Sequence, residues 1–359
     1  MKSPQIKYRQ QYRLFRVLGL ALIFVCQAVA ALALTGACVD CHTMHNSQGG
    51  SVMTFDGSAT AGNMLLRGTS CGGCHADSTT LSVPKVNIST SSDVLAGGSF
   101  AWVLGAASPA TPETPARETT GHDVADLGLA FDGLPPGFNS STSGDIGTFS
   151  ASTPLTCSGT YGCHGDHGEN NKFNAMEGAH HTNAGNNGST VLSGSTVGSS
   201  YRFLKGVKGI ELNSSDGWAE TTSDHNVYYG SVGDGDSSTI SALCAQCHGD
   251  FHTRTEIGGT SSPWLRHPTD IDMSTLGGEF TYYGDTIEPV NSSAYSLEAP
   301  VAATVLASMT SASVLGNYDK QILTCVSCHR AHGSPYYKIL RWDYPNSVAG
   351  CGICHTSKR

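Results

Sequence analysis

The chain has 359 residues with 29 acidic and 20 basic side chains, a formal charge of −9, only 14% charged residues and 43 glycines. The acidic balance argues against a nucleic-acid partner, which needs a basic surface. So few charges with so much glycine exclude both a helical bundle and a charge-rich disordered chain, so something other than a regular apolar pattern must supply the core.

Residues 1–30 read as an export signal. Lys2, Lys7, Arg9, Arg13 and Arg16 precede an apolar run from Val17, and Ala28-Val29-Ala30 offers a cleavage site before Ala31. A retained membrane anchor is the alternative, and Cys26 lies within the run. Residues 31–359 are expected to form a single domain, with 15 basic residues against 29 acidic and a formal charge of −14.

Cys38-Val-Asp-Cys41-His42 opens this domain, and the same Cys-x-x-Cys-His pattern recurs at Cys71/Cys74/His75, Cys244/Cys247/His248, Cys325/Cys328/His329 and Cys351/Cys354/His355. A wider version is Cys157-Ser-Gly-Thr-Tyr-Gly-Cys163-His164. In this signature two thiols add across the vinyl groups of a haem and the adjacent histidine reaches the iron as proximal ligand. Six such sites use twelve of the 13 cysteines, and the thirteenth is Cys26. Zinc ribbons and disulfide frameworks do not explain a histidine after every second cysteine. At the wide site Gly159 and Gly162 allow the extra residues to bulge so that both sulfurs attach. A single thioether at Cys163 is the alternative.

Between the pairs the chain is rich in Gly, Ser, Thr and Asn, and Ser108-Pro-Ala-Thr-Pro-Glu-Thr-Pro115 and Gly133-Leu-Pro-Pro-Gly137 forbid continuous helix or central strand. The expected fold is therefore a multihaem cytochrome c. It is mostly irregular, with short helical turns at the motifs, one helix from about Pro300 to Leu315 and little sheet, elongated and packed around a chain of six haems.

Six proximal histidines leave His45, His122, His167, His180, His181, His225, His252, His267 and His332 as candidates for the second axial position. His45, His167 and His332 follow a proximal histidine by three residues and His252 by four. His122 and His267 sit in kinked contexts. These six form the expected distal set, with His180, His181 and His225 open as replacements. Axial Cα atoms on one iron lie about 12 Å apart, whereas three residues span at most about 10 Å, so His45 serves a haem other than that of His42. The Cys71/Cys74 haem of its own chain is one option.

With these residues assembled, the chain resembles the outer-surface hexahaem c-type cytochromes of metal-reducing bacteria that polymerise into extracellular filaments. The resemblance rests on Cys41-His-Thr-Met-His-Asn-Ser47, Gly121-His122, Cys163-His-Gly-Asp-His-Gly168, Cys247-His-Gly-Asp-Phe-His252, Leu265-Arg-His-Pro268 and Cys325-Val-Ser-Cys-His-Arg-Ala-His332. It implies the same distal set, and it implies that His45 leaves its own subunit to ligate the Cys325/Cys328/His329 haem of a neighbour.

The absence of Cys-x-x-Cys-Lys and the surplus of histidines favour fully ligated irons and electron conduction over catalysis. The implied function is a secreted homopolymer that carries electrons from redox-partner cytochromes to extracellular acceptors such as metal oxides or electrodes. A monomeric periplasmic or outer-surface shuttle and a multihaem oxyanion reductase are the alternatives.

Overall fold

A computed structural model of the protein describes residues 37–76, 79, 81, 83–86, 95–105, 119–141, 143, 149–181, 190–212, 220–222, 224–253, 267–282, 295–306, 321–344 and 346–358. The leader, its cleavage site, Cys26 and the Ser108–Pro115 segment lie outside these residues. Among those described, no helix is long and apolar enough to cross a membrane.

Regular structure is short and gathers at the cysteine pairs. Cys38–Cys41, Cys71–Cys74, Cys325–Cys328 and Ala349–Cys354 are single helical turns. In each, the histidine after the second cysteine donates its N–H to the carbonyl of the first, at 2.8 to 3.0 Å. Two intervening residues are just enough for this i→i−4 closure, which puts both thiols and the imidazole on one short stretch of backbone. The fifth standard pair lies within a longer helix, Ile240–Thr253, where Thr239 Oγ1 accepts from Ala242 N–H at 3.1 Å. At His248 the backbone leaves the helical region (φ −112°, ψ 42°), which turns its ring out of the helix.

The wide site cannot close a single helical turn, and it forms two parallel strands instead, β3 (Thr156–Ser158) and β4 (Gly162–His164). Gly159, at φ +88°, starts the reversal and Gly162 N–H donates to its carbonyl at 2.9 Å. A Cβ on Gly162 would stand 2.5 Å from Ser158 N, so the loop closes only with glycine there.

Two further sheets are formed among the described residues. β1 (Ser47–Gln48) and β2 (Ser51–Val52) make a small hairpin. A five-stranded sheet runs in the order β5 (Gly209–Ile210), β6 (Val227–Tyr229), β8 (Ala302–Ala303), β9 (Ile322–Leu323), β7 (Ile271–Asp272). It is antiparallel except for β6 beside β8. Alternate residues divide between two cores, as a period of two requires. Val227, Ala303 and Leu323 join Ile210, Met273 and Ile353 on one side, and Tyr228, Ala302 and Ile322 join Leu192, Leu204, Leu243 and Val326 on the other.

The expectation of a helix from Pro300 to Leu315 fails where it is described. Residues 300–306 are extended and contribute β8, because Val301, Ala302 and Ala303 are all buried against the two cores. The rest of that segment lies outside the described residues. The expectation of little sheet agrees with the described residues, whose strands are only two or three residues long.

Candidate haem chain

One cavity of about 1900 Å³ threads the molecule. It is lined by all twelve motif cysteines and all six motif histidines, together with His122, His180, His181, His267 and His332. Its other walls are largely apolar, among them Phe100, Val124, Leu127, Phe173, Leu204, Leu243 and Trp342.

Within this cavity the histidines stand in facing pairs. Ring centroids are 6.2 Å apart for His42 and His181, 6.4 Å for His75 and His180, 6.3 Å for His164 and His332, 6.2 Å for His122 and His248, and 6.2 Å for His267 and His355. Two metal–nitrogen bonds of about 2 Å and two ring radii of about 1.2 Å add to a separation of about 6.4 Å. At five sites a pair of histidines would therefore fit a haem iron held between them. Among the described residues no imidazole stands opposite His329.

The tautomer is set by what each ring donates to. His42 Nδ1 faces Met64 O (3.1 Å), His75 Pro84 O (2.8 Å), His164 Arg202 O (2.9 Å), His248 Pro136 O (2.7 Å) and His329 Lys338 O (2.9 Å). His355 Nδ1 instead faces a carboxylate oxygen of Glu279 at 3.2 Å. On the opposite side His122 and His267 face Ala331 O (2.7 Å) and Pro268 O (2.9 Å). Each bond fixes the proton on Nδ1 and leaves the Nε2 lone pair for a metal. Burial pushes the same way. It holds His248 and His180 at about 4 and His332 at about 3, so these rings are neutral at any physiological pH.

Three of those carbonyls come from a repeated device that sequence reasoning missed. Asn63-Met-Leu-Leu-Arg67, Tyr201-Arg-Phe-Leu-Lys205 and Tyr337-Lys-Ile-Leu-Arg341 each carry two consecutive non-glycine residues at positive φ: Met64/Leu65, Arg202/Phe203 and Lys338/Ile339. The left-handed turn aims the first carbonyl at the proximal imidazole. The second accepts from the residue after that histidine, at 2.8 Å for Thr43, 2.7 Å for Gly165 and 2.9 Å for Arg330. Such a conformation costs about 1–2 kcal/mol per residue and persists only where its surroundings impose it. Arg67 and Arg341 reinforce two of these clips by donating to Val39 O and Val326 O, inside the neighbouring Cys-x-x-Cys turns. The available signal was the threefold recurrence of two apolar residues, the second Leu, before Arg or Lys.

Consecutive cysteine pairs lie near one another. Burial, then the neighbouring Cys41, pushes the Cys74 thiol up to about 11. Cys71 and Cys157 are hydrogen-bonded, and with a carboxylate oxygen of Asp126 they lie within 4.8 Å of one another. Burial and then Cys163 raise Cys247 to about 12. Cys244 and Cys325 are hydrogen-bonded, and Cys328 is pushed up to about 12 by burial and then by Cys354. The six cysteine pairs thus follow one another in space in sequence order. Asp126, its side chain fully buried and paired with Lys172, anchors the wide site by accepting from Cys157 N–H at 2.8 Å.

His167 and His252 are placed differently from the expected distal set. His167 Nε2 turns back to Cys163 O at 3.2 Å, and His252 Nε2 is buried against Asp270 at 2.7 Å. The positions facing His42 and His75 are taken by His181 and His180. His122, His267 and His332 each face a motif histidine, His225 stacks on Tyr295 with centroids 3.5 Å apart, and His45 is exposed.

A family model described as a doubled CXXCH motif matches residues 319–359. The C-type cytochrome OmcS of Geobacter sulfurreducens is 28% identical over 85% of this chain and 78% of its own. Among solved structures, an Outer Membrane Cytochrome S filament from Geobacter sulfurreducens matches 87% of this chain and 84% of its own at 22% identity and a TM-score of 0.44. OmcS nanowires from the same organism match 87% and 85% at 22% identity and a TM-score of 0.48. With its run of Cys-x-x-Cys-His motifs, the chain is similar to this C-type cytochrome along most of both sequences.

Proposed function

We propose that the protein is an electron carrier rather than an enzyme, with six covalently attached haems, each held between two histidines. The proximal ligands are His42, His75, His164, His248, His329 and His355. The distal ligands are, in the same order, His181, His180, His332, His122, His45 of a neighbouring copy, and His267. Five facing imidazole pairs along one cavity are the observation that carries this reading. When bound, each haem supplies a one-electron couple, and the protein's part is to set spacing, orientation and insulation. Neutral Nε2 atoms fixed by Nδ1 bonds present ready-made ligands, and the apolar walls exclude water.

We further propose that copies join head to tail into a secreted, extracellular filament that passes electrons from partner cytochromes to outside acceptors. His45 is exposed three residues beyond His42, and among the described residues His329 faces no imidazole of its own chain, so one copy offers a ligand where the next lacks one. A contact between two different surfaces that does not close gives an open polymer. The similarity to OmcS, whose solved structures are filaments and nanowires, agrees with this. The test is His45→Ala. Haem loading should survive, since attachment uses only the cysteines and the proximal histidine, while filaments disappear from micrographs of the secreted fraction and one haem becomes five-coordinate. Filaments of normal length and spectrum would overturn the cross-subunit ligand.

A further inference from the structure

Five motif histidines donate to backbone carbonyls, which are neutral acceptors. The sixth, His355, has Glu279 Oε1 at 3.2 Å. That carboxylate is held in place by the chain just beyond the ligand: the Ser357 hydroxyl donates to Oε2, and Ser357 N–H lies 3.4 Å from the same oxygen. Thr356 Oγ1 donates to the Glu279 carbonyl at 2.6 Å. The next residue, Phe280, meets the His355 ring edge-on with centroids 5.0 Å apart. The facing ring, His267, has a backbone carbonyl, Pro268 O at 2.9 Å, as its Nδ1 partner, so the asymmetry belongs to the His355 side.

We propose that Glu279 is a positioning residue that lowers the reduction potential of the haem at Cys351/Cys354. This rests on the haem ligation proposed above. A carboxylate partner draws the Nδ1 proton away from the imidazole and makes Nε2 the stronger donor to iron. The ferric centre carries one more positive charge than the ferrous one, and a fixed negative charge one imidazole away favours it. The step is the uptake of a single electron with no proton transferred. Partial exposure of the Glu279 side chain, at 23%, weakens the effect without reversing its sign. The last site of each subunit then holds an electron less firmly than it would with a carbonyl acceptor, which raises the energy of one hop per subunit.

The experiment is a redox titration of assembled full-length protein, followed by visible and electron paramagnetic resonance spectra, for the parent, Glu279→Gln and Ser357→Ala. The Glu279→Gln change keeps the size and the acceptor atom and removes the charge. One of six one-electron steps should move positive by the equivalent of about a tenfold change in the oxidised-to-reduced ratio, which is about 59 mV for one electron. Ser357→Ala, which frees the carboxylate but keeps its charge, should move the same step by less. Six unmoved steps in a Glu279→Gln protein with full haem content and low-spin spectra would overturn the proposal. So would several steps moving together, since that marks a general rearrangement. Failure of the underlying ligation reading would be seen separately, in the haem mass and spin state of the parent.

Discussion

Replacing His181 by Ala should open one iron, and replacing His167 by Ala should open none. His181 is the ring facing His42 at 6.2 Å, and the adjacent His180 is committed to His75 at 6.4 Å, so neither can cover for the other. With six attachment motifs per chain, about one-sixth of the ferric low-spin signal should convert to high spin in His181→Ala. The reduced variant should bind one carbon monoxide per chain. His167 loses only a 3.2 Å bond to Cys163 O in an exposed turn, so its variant should stay fully low-spin, with a stability change within about 0.5 kcal/mol. Assembled protein must be used, because among the described residues no imidazole of the same chain faces His329. If His167→Ala opens an iron and His181→Ala does not, the facing-ring assignment is wrong and proximity in sequence is the better guide.

Asp126→Asn should cost about 1–3 kcal/mol in chemical denaturation, less than a fully buried pair because the Lys172 side chain is 30% exposed. Cys157→Ala should yield five haems by intact mass if the wide site needs both thioethers; six would show that Cys163 suffices. Burial lowers the His252 pKa, but its bond to Asp270 and that charge outweigh burial and raise it. The pair should therefore stabilise the protein fully below about pH 6.5, and the contribution should fade as pH rises through the elevated folded value. Thermal melts between about pH 6 and 9 should show that slope, and Asp270→Asn should flatten it. Lys338, exposed and at φ 56°, should tolerate glycine with a gain of up to about 1 kcal/mol, whereas Lys338→Val should lose about 1–2 kcal/mol.

The attachment sites were legible because they are local: five residues fix two sulfurs and an imidazole, and no knowledge of the fold is needed to name them. The facing rings are long-range. His332 reaches His164 and His122 reaches His248 across more than a hundred residues, and only tertiary packing brings them together. Sequence spacing nominated His167 and His252 because each follows a proximal histidine closely. At His252 the helix resumes after the break at His248 and carries the ring to Asp270. At His167 the turn at Gly165, φ 76°, folds the ring back onto Cys163 O. His180 and His181 looked unremarkable in a polar stretch, yet a pair of adjacent histidines can serve two neighbouring sites at once. Glu279 left no trace in the sequence, since its partner lies 76 residues away.

The continuous cavity has a consequence for how the chain is made. Its apolar walls, among them Leu204, Leu243 and Val326 of one core, are the surfaces that bound cofactors would cover, so a chain carrying fewer cofactors buries less apolar area. Such a chain opens more readily, and proteases act on opened chains in proportion to how often they open. Completeness of cofactor loading would thereby be converted into resistance to proteolysis.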